Sequence, residues 1–238
     1  MKYQAILFDM DGTLLPMDEE LFLKVYLGEL GKEMLPYGVQ PQQITPAMWK
    51  GVGAMVKNDG SRTNEEAFWQ VFKALTPGAD HAGLRPVTER FYTEGFHKAR
   101  VSTTENPLAV RAVQLAHQKA PVVVLATNPL FPMAAQQTRM GWVGLQPADF
   151  DKVTAYESQR FCKPNPAYYA AICEELDLDP AACLMIGNDE TEDMQAASAL
   201  GMSGYLITDC LKPSRSEDYH WNGPRGSFAE MVAWLEQQ

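Results

Sequence analysis

The sequence is short of positive charge. Its 238 residues include 20 Lys and Arg against 30 Asp and Glu, which gives a formal net charge of −10 at pH 7. An acidic chain does not attract a polyanion over its whole surface, so we do not expect nucleic acid as a partner. A local positive pocket that binds a small anion is still compatible with this charge balance.

Cysteine and histidine are also scarce. The chain has four of each, no two cysteines form a C-x-x-C pair, and the histidines fall in no zinc-ligand spacing with them. The cysteines are Cys162, Cys173, Cys183 and Cys210. We therefore expect free thiols in a reducing compartment and no zinc site.

Long uncharged apolar runs are missing as well. No run approaches the ~18 residues that a membrane-spanning helix needs. The apolar run near the N-terminus is too short for the core of a signal peptide, and it ends at Asp9. We expect a cytoplasmic protein with no membrane partner.

The sequence does contain short apolar runs that are typical of buried strands in a parallel sheet. They lie at residues 4–8, 121–126, 182–186 and 203–207. Helical patterns lie at residues 107–119, 131–140, 166–177 and 191–200, and a last helix is predicted at 228–236. Strands that alternate with helices predict an α/β fold with a parallel sheet.

Residues 17–100 have a different pattern, in which apolar residues recur at helical spacing and β-branched runs are few. Examples are Leu23, Leu27 and Leu30, and later Phe68, Phe72 and Leu75. Turn signals at residues 36–38, 58–60 and 77–78 divide this segment into several helices. We therefore expect a core domain of residues 1–16 and 101–238, with a helical domain of residues 17–100 inserted after the first strand.

Polar side chains follow three of the predicted strands. The first strand ends in Asp9-Met10-Asp11-Gly12-Thr13, the second in Thr127-Asn128, and the third in Gly187-Asn188-Asp189 with Asp193 one helical turn later. Lys163 lies between the second and third strands. Ligands of a parallel sheet bind at the carboxyl ends of its strands, so we expect these side chains to lie close together.

Such a cluster has a definite chemistry. Neighbouring carboxylates repel one another and take up protons unless a cation neutralises them. Carboxylate and carbonyl oxygens are hard ligands that suit Mg²⁺. A carboxylate beside the metal can act as a nucleophile, while a hydroxyl and an ammonium hold the transferred anion. The pattern favours metal-assisted phosphoryl transfer.

These motifs and their order resemble the four motifs of the haloacid dehalogenase (HAD) superfamily: D-M-D-G-T-L after the first strand, a Thr after the second, a Lys-Pro pair, and two aspartates four residues apart. The resemblance covers residues 1–16 and about 101–210. It implies a Rossmann-like core flanked by helices, a mobile helical cap, and Mg²⁺-dependent phosphate chemistry. The cap position is similar to that of the phosphoglycolate phosphatase and beta-phosphoglucomutase branch.

The resemblance also implies a role for each motif residue. Asp9 corresponds to the nucleophile, and Asp11 corresponds to the general acid that later acts as the base. Phosphate would be held by Thr127, Asn128 and Lys163, and the metal by Asp9, Asp11, Asp189 and Asp193. In an alternative role, Asp193 orients Lys163. Asn188 departs from the family pattern, which leaves open whether Asp189 or Asp193 is the direct metal ligand.

The resulting hypothesis is a Mg²⁺-dependent phosphatase that hydrolyses small-molecule phosphomonoesters through an aspartyl-phosphate. The alternatives are a phosphomutase of sugar phosphates and a non-catalytic binding protein with the same fold. Dehalogenation is disfavoured, because relatives that dehalogenate lack the second aspartate of the first motif, here Asp11. In the insert, the polar stretch 57–62 is a candidate contact for the leaving group, although a solvated loop is the favoured interpretation.

Overall fold

A six-stranded parallel sheet forms the centre of the computed structural model, which describes residues 2–238. The strands are β1 (Ala5–Phe8), β2 (Val122–Leu125), β3 (Lys152–Val153), β4 (Cys183–Gly187), β5 (Ser203–Ile207) and β6 (Arg225–Gly226). Their order in the sheet is β3-β2-β1-β4-β5-β6. The predicted parallel α/β fold is therefore confirmed.

Strand β1 lies between β2 and β4, and Phe8 pairs with Leu125 on one side and Ile186 on the other. Ile6 and Phe8 belong to the apolar core on one face of the sheet, while Ala5 and Leu7 belong to the core on the opposite face. A strand that is buried on both faces has no polar side, which explains its continuous apolar sequence. From β1 the chain continues to β2, which lies on one side of β1 in the sheet, whereas β4 lies on its other side. The carboxyl end of β1 is therefore a topological switch point.

Nine α-helices accompany the sheet within residues 2–238. They are α1 (Glu19–Met34), α2 (Pro41–Val56), α3 (Asn64–Leu75), α4 (His81–Thr93), α5 (Ala109–Lys119), α6 (Met133–Trp142), α7 (Ala167–Glu175), α8 (Ala196–Ser198) and α9 (Phe228–Glu236). Several begin at side-chain caps that the sequence contains, such as the Thr63 and Glu66 capping box of α3. No helix in the described part of the chain is long and apolar enough to cross a membrane.

The chain from α1 to the 3₁₀-helix at Gly95–Ser102 contains no strand; we call residues 19–102 the helical segment. The chain enters and leaves the helical segment at one place, where Met17 pairs with Thr103 in an antiparallel bridge. Its interior is aromatic: Phe22, Tyr26, Phe91, Tyr92 and Phe96 are buried against one another. The aromatic residues near the end of the segment therefore serve its packing.

The structure differs from the sequence prediction in three elements. Strands β3 and β6 were not predicted, because each has two residues and neither lies in an apolar run. The predicted helix at 191–200 begins as a π-helical turn, Glu190–Gln195, before α8. The polar segment 212–227, for which no strand was predicted, includes β6 and supplies two basic side chains, Lys212 and Arg215, to the site described below.

Candidate active site

The carboxyl ends of β1, β2 and β4 meet at one cavity of about 330 Å³. Asp9 follows β1 directly, Thr127 follows β2 after one residue, and Asn188 and Asp189 follow β4. The predicted site residues that line the cavity are Asp9, Asp11, Thr127, Asn128, Asp189 and Asp193. The parallel sheet thus brings together motifs that are more than 100 residues apart in the sequence.

Lys163 lies buried beside this cavity and bridges two carboxylates. Its ammonium is 2.9 Å from Asp9 Oδ1 and 2.6 Å from Asp193 Oδ1. Burial alone would lower the pKa of Lys163, but the charges of Asp193 and Asp9 outweigh it and raise that pKa well above its usual value. Lys163 is therefore a fixed cation beside the predicted nucleophile.

Asp193 has both of its oxygens engaged. Oδ1 accepts from Lys163, and Oδ2 accepts the backbone N–H groups of Asn188 and Asp189, each at 3.0 Å. Gly187 packs against this carboxylate, since a Cβ at that position would lie 2.2 Å from Asp193 Oδ2. Burial raises the pKa of Asp193, against the opposing charge of Lys163. The geometry favours the role in which Asp193 orients Lys163.

Asp11 is held by an arginine that the sequence did not point to. Arg139 is fully buried on α6; its Nη1 donates to Asp11 Oδ2 and its Nη2 donates to Gln136 Oε1. Asp11 Oδ1 is buried and has no hydrogen-bond partner among residues 2–238. Burial raises the pKa of Asp11, and the charge of Arg139 opposes that rise while Asp9 adds to it. A carboxyl with a raised pKa suits proton donation.

Thr127 and Asn128 occupy the rim formed by β2. The carbonyl of Thr127 accepts from Thr154 Oγ1 at 2.7 Å and from the Tyr168 hydroxyl at 2.9 Å. These bonds fix the backbone, while the Thr127 hydroxyl makes no hydrogen bond within the described residues. Asn128 Nδ2 donates to Glu192 Oε2 at 2.9 Å. The free hydroxyl is in position to meet an anion that enters the cavity.

Asp189 caps the π-helical turn and also contacts a basic side chain. Its Oδ1 accepts the N–H groups of Thr191 and Glu192, each at 2.8 Å. Its Oδ2 accepts from Arg215 Nη2 at 3.0 Å, and the same nitrogen lies 2.8 Å from Glu192 Oε1. The Arg215 side chain is about half exposed, so it can leave Asp189 without disturbing the core.

Asn188, the departure from the family pattern, joins the loop after β1 to the loop after β5. Its Oδ1 accepts from the Thr13 hydroxyl at 3.1 Å, and its Nδ2 donates to the Cys210 carbonyl at 2.6 Å. Gly12 has a positive φ of 87°, and a Cβ there would lie 2.3 Å from Asn188 Nδ2. Asn188 therefore supports the loop that carries the two aspartates.

The residues present fit a magnesium ion, although no three His, Cys, Asp or Glu side chains converge as a complete cage within residues 2–238. Asp9 Oδ2 and the Asp11 carbonyl accept no hydrogen bond from the described residues, and Asp189 Oδ2 is held only by the movable Arg215. Mg²⁺ commonly takes one or two carboxylates and completes its octahedron with waters and substrate phosphate. Two carboxylates and one carbonyl satisfy that requirement.

Several residues of the site were not predicted. They are Glu19, Trp49, Arg139, Glu192, Lys212 and Arg215. Arg139 is the only charged residue of α6. A single cation in an otherwise uncharged helix is the one feature of the sequence that could have indicated a buried role for Arg139. Lys212 pairs with Glu19, but both lie in segments whose sequence resembles ordinary surface.

The polar stretch 57–62 does not reach the catalytic cavity. Lys57, Asn58, Asp59, Ser61 and Arg62 line a separate surface cavity. Asn58 is buried and donates to the Arg62 carbonyl, so it stabilises its own loop. In the helical segment, Trp49 and the start of α1 line the catalytic cavity instead.

The chain is similar to known proteins along most of its length. A curated phosphoglycolate phosphatase of Neisseria gonorrhoeae is 29% identical over 210 residues, which cover 86% of this chain and 80% of that protein. A 2-haloacid dehalogenase of Pseudomonas syringae has a similar structure, with a TM-score of 0.63, 15% identity and 99% of both chains covered. A HAD hydrolase of Bacillus subtilis, solved with bound magnesium, gives a TM-score of 0.59 at 19% identity, again over 99% of both chains.

The two structural similarities, at this low identity, establish the fold and no more. The family model for haloacid dehalogenase-like hydrolases matches residues 3–201, which is more than half of the chain. The resemblance that the four motifs predicted is confirmed by this match. The chain belongs to the haloacid dehalogenase-like hydrolases and is an enzyme of that family.

Proposed function

We propose that this hydrolase is a Mg²⁺-dependent phosphatase that cleaves small-molecule phosphomonoesters through an aspartyl-phosphate. One observation carries the proposal: Asp9 and Asp11 lie at the same cavity in different surroundings. Asp9 Oδ1 lies 2.9 Å from the buried ammonium of Lys163, whereas burial raises the pKa of Asp11 although the charge of Arg139 opposes that rise. One nucleophile and one acid are what ester cleavage requires.

In the first step, a carboxylate oxygen of Asp9 attacks phosphorus and the bond from phosphorus to the ester oxygen breaks. Asp11 gives its proton to the departing alkoxide, so an alcohol leaves and Asp9 carries the phosphoryl group. In the second step, Asp11, now a carboxylate, takes a proton from water while the water oxygen attacks phosphorus. Inorganic phosphate leaves, and Asp9 and Asp11 return to their starting forms.

The remaining residues hold the transferred group. Lys163 neutralises charge beside Asp9, and the free hydroxyl of Thr127 and the backbone N–H of Asn128 are donors for phosphate oxygens. Asp9, the Asp11 carbonyl and Asp189 would hold Mg²⁺, which supplies charge neutralisation for the phosphate dianion when bound. Asp193 keeps Lys163 in place, and its direct contact with the metal stays a prediction.

The division into two domains belongs to the same proposal. Residues 17–100 would act as a cap over a core of residues 1–16 and 101–238. The bridge between Met17 and Thr103 supports this division, because both connections of the helical segment pass through one narrow place. Trp49 and Phe22 of the helical segment line the catalytic cavity, which is where a cap excludes water and contacts the leaving group.

The activity of the Neisseria relative also supports phosphoester hydrolysis, since that protein is described as a phosphoglycolate phosphatase. The test is release of inorganic phosphate from a panel of phosphomonoesters, in Mg²⁺ and in EDTA. We expect release that needs the metal and that Asp9→Asn abolishes. Asp218→Asn, at an exposed position away from the cavity, is the matched control and should keep full activity.

Three outcomes would contradict the proposal. Asp9→Asn with a near-normal rate would exclude the aspartyl-phosphate. A sugar 1-phosphate that is converted to its isomer, without release of phosphate, would identify a phosphomutase. A folded protein that turns over no ester would leave a binding function.

A further inference from the structure

A second cavity, of about 110 Å³, lies between the helical segment and the residues Leu130, Phe131 and Tyr156, and its lining is almost wholly apolar. Helices α1, α2 and α3 supply Leu27, Leu30, Met48, Val52 and Trp69. An apolar cavity of about 150 Å³ binds benzene, so this smaller cavity suits a short alkyl chain or the edge of a small ring.

The second cavity shares a wall with the catalytic cavity. Leu23, Trp49, Leu130 and Phe131 line both of them. Trp49 is 51% exposed, which is unusual for a large aromatic side chain that is flanked by two cavities. The four shared residues place the apolar space next to the catalytic cavity, so an ester whose phosphorus lies at Asp9 would have this apolar space beside its leaving group.

The polar groups of the second cavity are mostly satisfied by protein partners. No charged side chain lines it within the described residues. The hydroxyls of Tyr26 and Tyr92 bond each other at 2.8 Å, and Thr88 Oγ1 donates to the Arg85 carbonyl at 2.9 Å. Trp69 Nε1 is buried, and the Tyr156 hydroxyl of the same lining is its neighbouring acceptor, so neither group adds a charge to the cavity.

Within residues 2–238, each cation at the site already has a carboxylate partner, which bears on the binding of a small acidic leaving group. Lys163 is held by Asp9 and Asp193, Arg139 by Asp11, Lys212 by Glu19, and Arg215 by Asp189 and Glu192. A carboxylate such as that of phosphoglycolate would compete with these partners, and the most exposed of the four cations, Arg215, can turn away from its partner without disturbing the core. An apolar group instead gains the free energy of leaving water without that competition.

We propose that the second cavity is the leaving-group subsite and that the substrates are phosphate esters of aromatic or short hydrocarbon alcohols. This inference rests on the proposed phosphatase activity. It assigns this chain a class of substrates that differs from phosphoglycolate, the substrate named for its Neisseria relative.

The first test compares kcat/KM for phenyl phosphate and butyl phosphate with kcat/KM for phosphoglycolate and acetyl phosphate. We expect butyl phosphate, whose alcohol is no better a leaving group than glycolate, to exceed phosphoglycolate at least tenfold, and phenyl phosphate to exceed it further. Activity on phosphoglycolate that equals or exceeds activity on butyl phosphate would overturn the subsite and leave the phosphatase proposal standing. Loss of every activity, including that on acetyl phosphate, would overturn both.

The second test fills the cavity. Val52→Phe on α2 and Leu27→Phe on α1 each place a ring in the apolar space, and each should lower the kcat/KM ratio of phenyl to acetyl phosphate at least fivefold, chiefly through KM. The control is Val56→Phe, one turn further along α2 and outside the cavity, which should leave the ratio unchanged. An unchanged ratio in both cavity variants, with thermal unfolding showing them folded, would contradict the proposal.

A binding measurement gives a readout that does not depend on turnover. Phenylphosphonate should change the fluorescence of Trp49 and Trp69, and it should bind at least tenfold more tightly than methylphosphonate. Val52→Phe should remove that difference. Equal affinity for the two phosphonates in the unaltered protein would overturn the inference.

Discussion

Arg139 donates a hydrogen bond to the carboxylate of Asp11 although the two residues lie 128 positions apart in the sequence. The guanidinium is fully buried, and its Cζ lies over the ring of Phe131, 4.5 Å from the ring centre. A buried cation of this kind would be very costly without an acidic partner. Asp11 therefore has a structural partner as well as its proposed part in catalysis.

Replacing Arg139 should lower the stability of the protein toward unfolding. Arg139→Met removes the partner of the Asp11 carboxyl, and we expect the free energy of unfolding to fall by about 1–3 kcal/mol, less than for a broken pair of full charges because burial raises the pKa of Asp11. Urea denaturation measures this loss. The double variant Arg139→Met with Asp11→Asn removes both charges, so it should recover part of the loss; a double variant as unstable as the sum of the singles would show that the two residues are not coupled.

Asp11→Asn should lower the rate of hydrolysis most for esters that have poor leaving groups. Without a proton donor, an alkoxide leaves slowly, so hydrolysis of butyl phosphate should fall by roughly 10²–10⁴-fold. The 4-nitrophenolate anion needs no proton, so formation of the aspartyl-phosphate from 4-nitrophenyl phosphate should be much less affected. Rapid-quench measurement of the two substrates checks this. Equal losses for both would mean that Asp11 is not the general acid.

Gly187 is expected to tolerate no side chain. A Cβ at Gly187 would meet Asp193 Oδ2 at 2.2 Å and push the carboxylate away from Lys163. We expect Gly187→Ala to lower both kcat and the melting temperature. Gly28→Ala on α1 is the control, because nothing lies within 4 Å of its Cβ, and it should stabilise the protein by about 0.5–1 kcal/mol. Normal kcat in Gly187→Ala would show that the position of Asp193 does not matter for turnover.

Arg215 should compete with the metal for Asp189. The guanidinium occupies Asp189 Oδ2, so Mg²⁺ must displace it before that oxygen becomes available. We expect Arg215→Ala to lower the dissociation constant for Mg²⁺ severalfold in calorimetric titrations. Arg225→Ala, in β6, removes the same charge elsewhere and should have no effect. Weaker Mg²⁺ binding in Arg215→Ala would instead indicate that Arg215 helps to assemble the site.

Cys162 should resist thiol reagents although it neighbours Lys163. Burial raises the pKa of Cys162 to about 12, the charge of Glu192 adds to this, and the amide of Asn64 opposes it. The thiolate is the reactive form, so alkylation should be negligible at pH 8 and should increase only as the pH rises toward that value. Iodoacetamide labelling followed by mass spectrometry measures the reaction. Rapid labelling of Cys162 at pH 8 in the folded protein would contradict this burial.

The central strands could be predicted from the sequence because burial on both faces leaves a continuous apolar run. This holds for β1, β2, β4 and β5, each within one residue of its predicted bounds. The edge strands β3 and β6 make only two-residue pairings, so their identity depends on the neighbouring strand rather than on their own composition.

The proximity of the motif residues was also predictable for those that follow a strand end, because a parallel sheet gathers such ends at one edge. Lys163 does not follow a strand end, and only the Lys-Pro pair in the sequence indicated it as a site residue. The structure places its ammonium within 3 Å of two of the predicted aspartates.

By itself, the sequence determined the alternation of strands and helices, the place of the helical insertion and the carboxylates at the sheet edge. These follow from local patterns, namely hydrophobic period and motif spacing. Tertiary structure alone decided the partners of those carboxylates, Arg139 and Arg215, and the apolar cavity behind Trp49. The physical reason is that an ion pair or a cavity belongs to side chains that are distant in sequence, and their proximity arises only when separate helices pack against the sheet.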